Sequence, residues 1–413
     1  MNPIADGLCL WYNPHMAATR NRKIGVFVEL TRAFGRDLCM GITEFARMTG
    51  SFEPVFLSPA ALRRPSSLAT FDGFIARVMN DRMARAFMSV GRPVVDVFWA
   101  KPHSGFAIVK TNHLLVGRMA AEHFLSRRFA NFGFCGSAND RSSDYCSRAF
   151  AHTLKKHGRS CLVYTPRVET RYAFDSSVLI NERLASAPDA REMSRWLKRI
   201  PKPIAVFCHN DLRAWQCLQV CRSCGLSVPK DVAILGLDND VIVCGFACPM
   251  ISSVDPDTPA IGHEAARTLA EIIDAGVDAR RNVVRHVPPK GVITRASTEI
   301  YPVDPPWVSD ALVFIRRHVA DHITAADVFA HTGYSHTLVD KAFRDILGTT
   351  VQKEINAARI ETARHLLKTT SLSVRAVASL SGFASAEYFT RSFMRAEGIA
   401  PTAWRTSGNR TLG

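Results

Sequence analysis

Residues 324–343 read TAADVFAHTGYSHTLVDKAF, and residues 373–393 read SVRAVASLSGFASAEYFTRSF. The two stretches follow one plan. Thr324, Ala325, Val328, Phe329, Gly333, Ser335, Val339, Lys341 and Phe343 fall in register with Ser373, Val374, Val377, Ala378, Gly382, Ser385, Phe389, Arg391 and Phe393; the second copy has one extra residue after its glycine. Each copy opens on a hydroxyl side chain suited to cap a helix, continues with apolar residues at i, i+3 and i+4, and breaks at a glycine free to turn left-handed. A second amphipathic helix restarts at a serine. Two short helices joined at a glycine turn form the motif that sets its second helix in a DNA major groove.

Between the copies, residues 351–368 read as one helix, roughly 27 Å long at 1.5 Å rise per residue. Recognition helices held at its ends would meet successive major grooves about 34 Å apart on slightly bent duplex. With Val339, Phe343, Phe389 and Phe393 turned inward, the face left for DNA carries His336, Thr337, Asp340 and Lys341 in the first copy. In the second it carries Ala386, Glu387, Thr390 and Arg391. Arg391 can fork onto a guanine edge or clamp a phosphate, Lys341 offers a point charge, and Asp340 and Glu387 can accept from cytosine amino groups. Taken singly, each reads equally well as a solvated helix-face residue. Their recurrence at equivalent positions in two copies favours base or phosphate contact.

The run ASAEYFTRSF at 384–393, with Gly382-Phe383 before it, GIAPTAWR at 398–405 after it, and Arg359, Ala363, Leu366 and Leu367 in the connecting helix, resembles the DNA-binding module of the AraC/XylS family. The likeness covers about residues 307 to 405. It implies a transcription regulator whose single module reads two adjacent half-sites of double-stranded DNA.

At 413 residues and 47% apolar content the chain is long enough for two or three packed domains. The net charge of +15 suits a polyanionic partner, but residues 303–413 hold 13 Lys and Arg against 10 Asp and Glu, a net of +3, which leaves +12 upstream. Charge alone therefore does not argue for DNA binding, and the repeat has to. Arg77, Arg82, Arg85 and Arg92 are candidates for an exposed basic patch near bound DNA, against the blander reading of scattered solubility charge. Eleven cysteines without a regular framework, and no charged n-region followed by a long apolar run, read as a reduced cytoplasmic protein. No stretch approaches the roughly 18 apolar residues of a membrane span. Cys221-x-x-Cys224 lacks the second pair that a zinc site needs, so these read as buried thiols at a helix end, with no metal and no cofactor.

Upstream, short apolar runs at 24–28, 73–75, 93–97, 132–135, 205–208 and 232–235 alternate with amphipathic stretches at 36–49, 115–126, 147–157, 211–224 and 259–275. That rhythm predicts a parallel α/β architecture in two lobes. It stops at the proline-rich linker 301–306. The expected organisation is a tail at 1–22, a two-lobed α/β sensor at 23–300, the linker, an all-α module with two helix-turn-helix motifs at 307–406, and a tail at 407–413.

Asn210-Asp211 after the run 205–208, the stretch GLSVPKDV at 225–232, GLDN at 236–239 and SSVD at 252–255 resemble the periplasmic-binding-protein-like (type I) sensor of the LacI/GalR regulators. Joined to an AraC-type module, and with RAFGR at 32–36, DGFIAR at 72–77 and VPPKGVITR at 287–295, the chain resembles the regulators of xylose operons. The resemblance implies a homodimer controlled by a small sugar of the D-xylose kind. Ligands of open parallel sheets bind beyond the carboxyl ends of strands, where Asp, Asn and Arg can satisfy sugar hydroxyls while an aromatic covers the ring. Phe34, Arg36, Asn112, Asn210, Asp211 and Asp238 make that inventory. An Asp or Asn at such a place is more commonly a helix cap, the alternative weighed for Asp211, whereas Asp238 lacks a good following helix. Asn112 and Cys146 stand where the family places an Asp and often a sugar-binding Arg. Each lost charge-assisted bond is worth about 1.5–3 kcal/mol, so the effector need not be xylose. The rival readings are a sugar-processing enzyme, for which no phosphate loop, nucleophile elbow or Ser/His/Asp set stands out, and a regulator of a non-sugar ligand. His209, beside Asn210 and Asp211, reads as a binding-site or core histidine.

Overall fold

A computed structural model describes residues 21–58, 61–62, 65–98, 105–138, 140–166, 187–276 and 283–410. Residues 1–20 and 411–413 of the two expected tails lie outside it. The chain opens with β1 (Arg22–Phe27), α1 (Ala33–Thr49), β2 (Phe52–Phe56), α2 (Pro65–Leu68), β3 (Gly73–Ala76), α3 (Asp81–Val90), β4 (Val94–Asp96) and β5 (Ala107–Thr111). It continues through α4 (His113–Ser126), β6 (Asn131–Cys135), α5 (Arg141–Lys156), β7 (Cys161–Tyr164), α6 (Ala187–Arg199), β8 (Ile204–Cys208) and α7 (Asp211–Ser223). Then follow β9 (Val232–Leu237), α8 (Val241–Phe246), β10 (Ser252–Asp255), α9 (Thr258–Ala275), β11 (Val284–Val287) and β12 (Gly291–Ile293).

Two sheets result. The first has the order β11-β5-β4-β3-β1-β2 and is parallel throughout. Its strands alternate between two cores: Ile24, Val26, Ile75 and Val95 pack with α1 and α9, while Phe27, Phe74, Ala76 and Val94 pack with Met83 and Phe87 of α3. Period-two side-chain placement is what fills both faces at once. The second sheet has the order β12-β10-β9-β8-β6-β7, with β12 antiparallel to β10. Its two cores divide the strands in the same way, Val206, Cys208 and Ile234 on one side and Ala205, Phe207 and Leu235 on the other. By contacts, the described residues up to 112 and within 257–288 form one compact unit around the first sheet, and the other described residues form the second unit. Within the described residues, no helix is long and apolar enough to cross a membrane.

Most expected helices are present with shifted ends. Helix α5 starts at Arg141 rather than 147, because Asp140 caps it: Oδ1 accepts from the N–H groups of Ser142 (2.8 Å) and Ser143 (3.2 Å). Cys221 is buried near the end of α7, and half-buried Cys224 is its C-cap.

The second unit ends in the all-helical module: α10 (Pro306–Arg317), α11 (Ala325–Thr332), α12 (His336–Leu347), α13 (Val351–Thr369), α14 (Val374–Leu380), α15 (Ala386–Glu397) and α16 (Pro401–Arg410). Helix α10 begins inside the expected linker at Pro306, and α16 runs into the expected tail at 407–413. The module has two small cores. One joins Leu312, Val328, Val339, Phe343 and Ile355; the other joins Ala363, Val377, Phe383, Phe389 and Phe393. Helix α13 contributes to both. At 19 residues it is a rod of about 28 Å.

Candidate functional site

The two recognition helices are built alike. Ser335 Oγ accepts from Leu338 N–H (3.4 Å) to cap α12, and Ser385 Oγ accepts from Tyr388 N–H (3.2 Å) to cap α15. Val339, Phe343, Phe389 and Phe393 are fully buried, so rotation about each helix axis is fixed. His336, Thr337 and Lys341 are exposed on α12, and Glu387 and Arg391 on α15. Lys341 and Arg391 thus face solvent at equivalent positions.

Three expected contact residues sit differently. Half-buried Asp340 is already shared between His336 Nε2 (3.4 Å) and Arg344 (3.5 Å), so its carboxylate is engaged along its own helix. Ala386 packs against the second core, and the Thr390 hydroxyl donates to the Ala386 carbonyl (2.8 Å). In their place the surface presents Leu338 and Tyr388, 45% and 40% exposed at matching positions, which the charge-based reading passed over.

Arg359 of α13 braces the two halves. Only 8% exposed, it donates from Nη2 to the Ile323 carbonyl (2.8 Å) ahead of the first motif and lies over the Phe383 ring of the second. The turn glycines differ sharply. Gly333 (φ +70°) has open space where a Cβ would stand, whereas a Cβ on Gly382 (φ +79°) would lie 1.8 Å from the Val319 carbonyl oxygen.

In the first lobe, the strand ends gather a charged pair whose arginine lies over aromatic rings. Glu29, after β1, is ion-paired with Arg77, after β3, and both are nearly buried. The guanidinium stands 4.2 Å over the Phe98 ring and 5.5 Å from that of Phe34. Arg77 is therefore interior and drops out of the candidate basic patch, whereas Arg82, Arg85 and Arg92 are exposed. Among the described residues, Glu29 Oε2 is buried without a hydrogen-bond donor. Asp96 Oδ1, 1% exposed as a residue, accepts from Val78 N–H (3.2 Å) and Phe98 N–H (2.9 Å) and shapes the loops on either side. Arg36 Nη1 donates to the Leu30 carbonyl (3.0 Å). Asn112, half-buried, donates its N–H to the Val287 carbonyl (2.8 Å) beyond β5.

In the second lobe, Asn210 rather than Asp211 caps α7, accepting from Arg213 N–H (2.8 Å). Asp211 is turned into the protein, 2% exposed, and both its oxygens are engaged, by Ser253 Oγ (2.6 Å) and by Asp240 N–H (2.7 Å). Burial is the largest influence on this carboxyl and pushes it up to about 7 despite those bonds. Half-buried Asp238 has φ +108°, and Asn239 after it φ +50°. A non-glycine residue there is strained, and such strain concentrates where side chains are aimed for function. A short helix, α8, does follow Asp238, but its cap is Asp240. Asn239 is held by Ser253 Oγ, Asp255 and Arg295.

Buried His209 lies between Ser137 Oγ (3.0 Å from Nδ1) and Asp140 Oδ2 (3.2 Å from Nε2). A Ser/His/Asp set that did not stand out in the sequence is thus assembled here. Burial alone would raise the Asp140 carboxyl, but His209 and the N–H and hydroxyl donors of α5 outweigh it and hold it well below the usual carboxylate range.

A model of the periplasmic binding protein-like domain matches residues 121–298, and a helix-turn-helix domain model matches residues 328–407. The xylose operon regulatory protein of Escherichia coli (strain K12) is 24% identical over 408 residues, covering 95% of this chain and 99% of that protein. That of Haemophilus influenzae is 21% identical over 93% of this chain and 98% of its own length. Among solved structures, a xylose-binding transcription activator superposes with a TM-score of 0.57 at 23% identity, covering 94% of this chain and 99% of that one. The regulator CelR in complex with cellobiose superposes with a TM-score of 0.54 at 20% identity over 67% of this chain and 85% of that one. The chain thus joins a periplasmic binding protein-like domain to a helix-turn-helix domain, and over nearly its whole length it is similar to the regulators of xylose operons.

In this regulator the Ser137, His209 and Asp140 cluster has a structural task. Asp140 caps α5, His209 ends β8, and the ring between them ties two strand-end loops together. The relatives and solved structures named above are transcription regulators. Sequence reading passed over Glu29, Asp96 and Phe98, although Glu29 and Asp96 each follow or end an apolar run, the same signal that singled out Asp238.

Proposed function

We propose that this regulator answers to a small sugar of the pentose class and, when so bound, presents α12 and α15 to tandem operator half-sites in the cytoplasm. The reading rests on Glu29 Oε2, a buried acceptor that lacks a donor among the described residues; Glu29 is ion-paired with Arg77, whose guanidinium lies over the rings of Phe34 and Phe98. A buried carboxylate oxygen without a donor costs about 1–3 kcal/mol, and a sugar hydroxyl supplies the donor while the rings cover its apolar faces. Phe34, Arg36 and Asn112 are the further candidates in the first unit; in the second, taken by itself, the candidates are Asn210 and Asp238, with Asp211 holding Asp240 in the loop that follows Asp238. The names of the relatives, which bind xylose or cellobiose, agree with a sugar. Asn112 and Cys146 argue for a ligand other than D-xylose itself. Val241, Ile242 and Phe246 on α8 are 71%, 55% and 79% exposed, an apolar surface that favours a homodimer.

Thermal melts of the purified protein against pentoses, hexoses and purines test the effector. A sugar is expected to raise the midpoint, and Glu29→Gln to weaken its binding roughly 10- to 100-fold, the equivalent of one charge-assisted bond. A purine response with none to sugars would sink the sugar assignment. For the DNA face, Lys341→Ala and Arg391→Ala should each lower the slope of log K against log salt by about 0.9, as expected for one lost phosphate contact. An unchanged slope in both variants would remove these residues from the phosphate contacts.

A further inference from the structure

A cavity of about 690 Å³ lies within the second unit, between the sensor's α4 and β12 and the helical module's α10 and α13. Its volume is that of a small-molecule site. Six Lys and Arg side chains line it against three Glu, and each Glu is already engaged by an arginine: Glu122 by Arg118, Glu361 by Arg316, Glu299 by Arg317. Arg127 is 7% exposed, and its hydrogen-bond partners are neutral: the His123 ring Nδ1 (3.0 Å), the His123 carbonyl (3.1 Å) and the Thr294 hydroxyl (3.1 Å), while Glu361 and Glu299 act on it only through space. Burial pushes the His123 ring well below its ordinary pKa, so the ring is uncharged and accepts from the guanidinium. A buried guanidinium without a carboxylate in contact is costly, and an anion in the adjoining space removes that cost.

We propose that this cavity is a second ligand site, separate from the sugar site, that takes a small phosphate monoester between Arg127 and the lysines Lys290 and Lys368. A phosphate oxygen pair matches the guanidinium fork, and ammonium groups neutralise the remaining charge. The consequence is regulatory. One wall is α13, the rod that holds both recognition helices, and on that side Lys368 Nζ already donates to the Pro289 carbonyl (2.9 Å). A ligand bridging the lobe and the rod would change how firmly the DNA-reading pair is seated, and so would couple to DNA affinity.

The test is calorimetric titration of the full-length protein with inorganic phosphate and with ribose 5-phosphate at fixed ionic strength. Saturable binding of at least one is expected. It should fall at least about tenfold in Arg127→Met, which removes the guanidinium, and in Thr362→Trp, which fills the cavity and leaves every cation in place. Lys341→Ala, on the DNA face, should bind the same anion as the parent protein does. Binding of neither anion by the parent protein overturns the proposal, as does an affinity equal to the parent's in folded Arg127→Met and Thr362→Trp.

Discussion

Replacing Gly382 by alanine is expected to unfold the second helix-turn-helix, whereas the same change at Gly333 leaves the first nearly intact. Both glycines hold a left-handed φ, which costs an alanine about 1–2 kcal/mol. At Gly333 that is the whole penalty, since nothing stands within 4 Å of a new Cβ. At Gly382 the methyl would be driven to 1.8 Å from the Val319 carbonyl, and relief requires moving the turn away from the segment that leads into the first motif. Such movement also pulls Phe383 off Arg359, which joins the two halves. Thermal and urea melts should show Gly382→Ala losing more than about 3 kcal/mol and Gly333→Ala no more than about 2 kcal/mol. Affinity for duplex DNA at low salt should follow the same order. Equal losses at the two sites would show that the second turn is not braced as described.

Asp211→Asn is expected to stabilise the protein at neutral and alkaline pH. The ordinary value of this carboxyl is 3.8, and burial raises it to about 7 in the folded state. Between about pH 4 and pH 7 the folded chain keeps a proton that the unfolded chain has released, so stability is greatest below the lower value and falls as pH rises through the higher one. At about 1.36 kcal/mol per unit, the fall is on the order of 4 kcal/mol. Asparagine cannot titrate. Its oxygen can accept from Asp240 N–H and its amide can donate to Ser253 Oγ, so the geometry survives. Unfolding free energies of the two proteins should nearly coincide at pH 4 and diverge towards pH 8, with the variant more stable. Parallel pH profiles would mean that Asp211 is charged throughout this range and that the buried-acid account is wrong. Asp140, held below the ordinary range, acts in the opposite sense and at more acid pH: its contribution is present above the ordinary carboxylate value and is lost on acidification.

Strands buried on both faces were legible because continuous apolar runs such as 205–208 and 232–235 suit few other environments. Strand β11 was not, since Val284, Arg285, His286 and Val287 make an edge strand in which only Val287 is buried. Strand β5 includes Lys110 and Thr111, buried polar residues whose place only their neighbours explain. The same limit governs single residues. Arg127 and Arg128 are adjacent and alike in type, yet folding buries the first beside His123 and sets the second against the Leu347 carbonyl and Glu354.

Local sequence determined the repeated helical readers, their caps, the inward phenylalanines and the outward Lys341 and Arg391, because periodicity and capping act within a few residues. Tertiary structure alone decided that Gly382 is indispensable where Gly333 is not, that Asp211 faces inward while Asp238 is held in a strained backbone, and that Glu29 meets Arg77. Those outcomes depend on which distant atoms come within van der Waals or hydrogen-bond range, and no spacing along the chain encodes that distance.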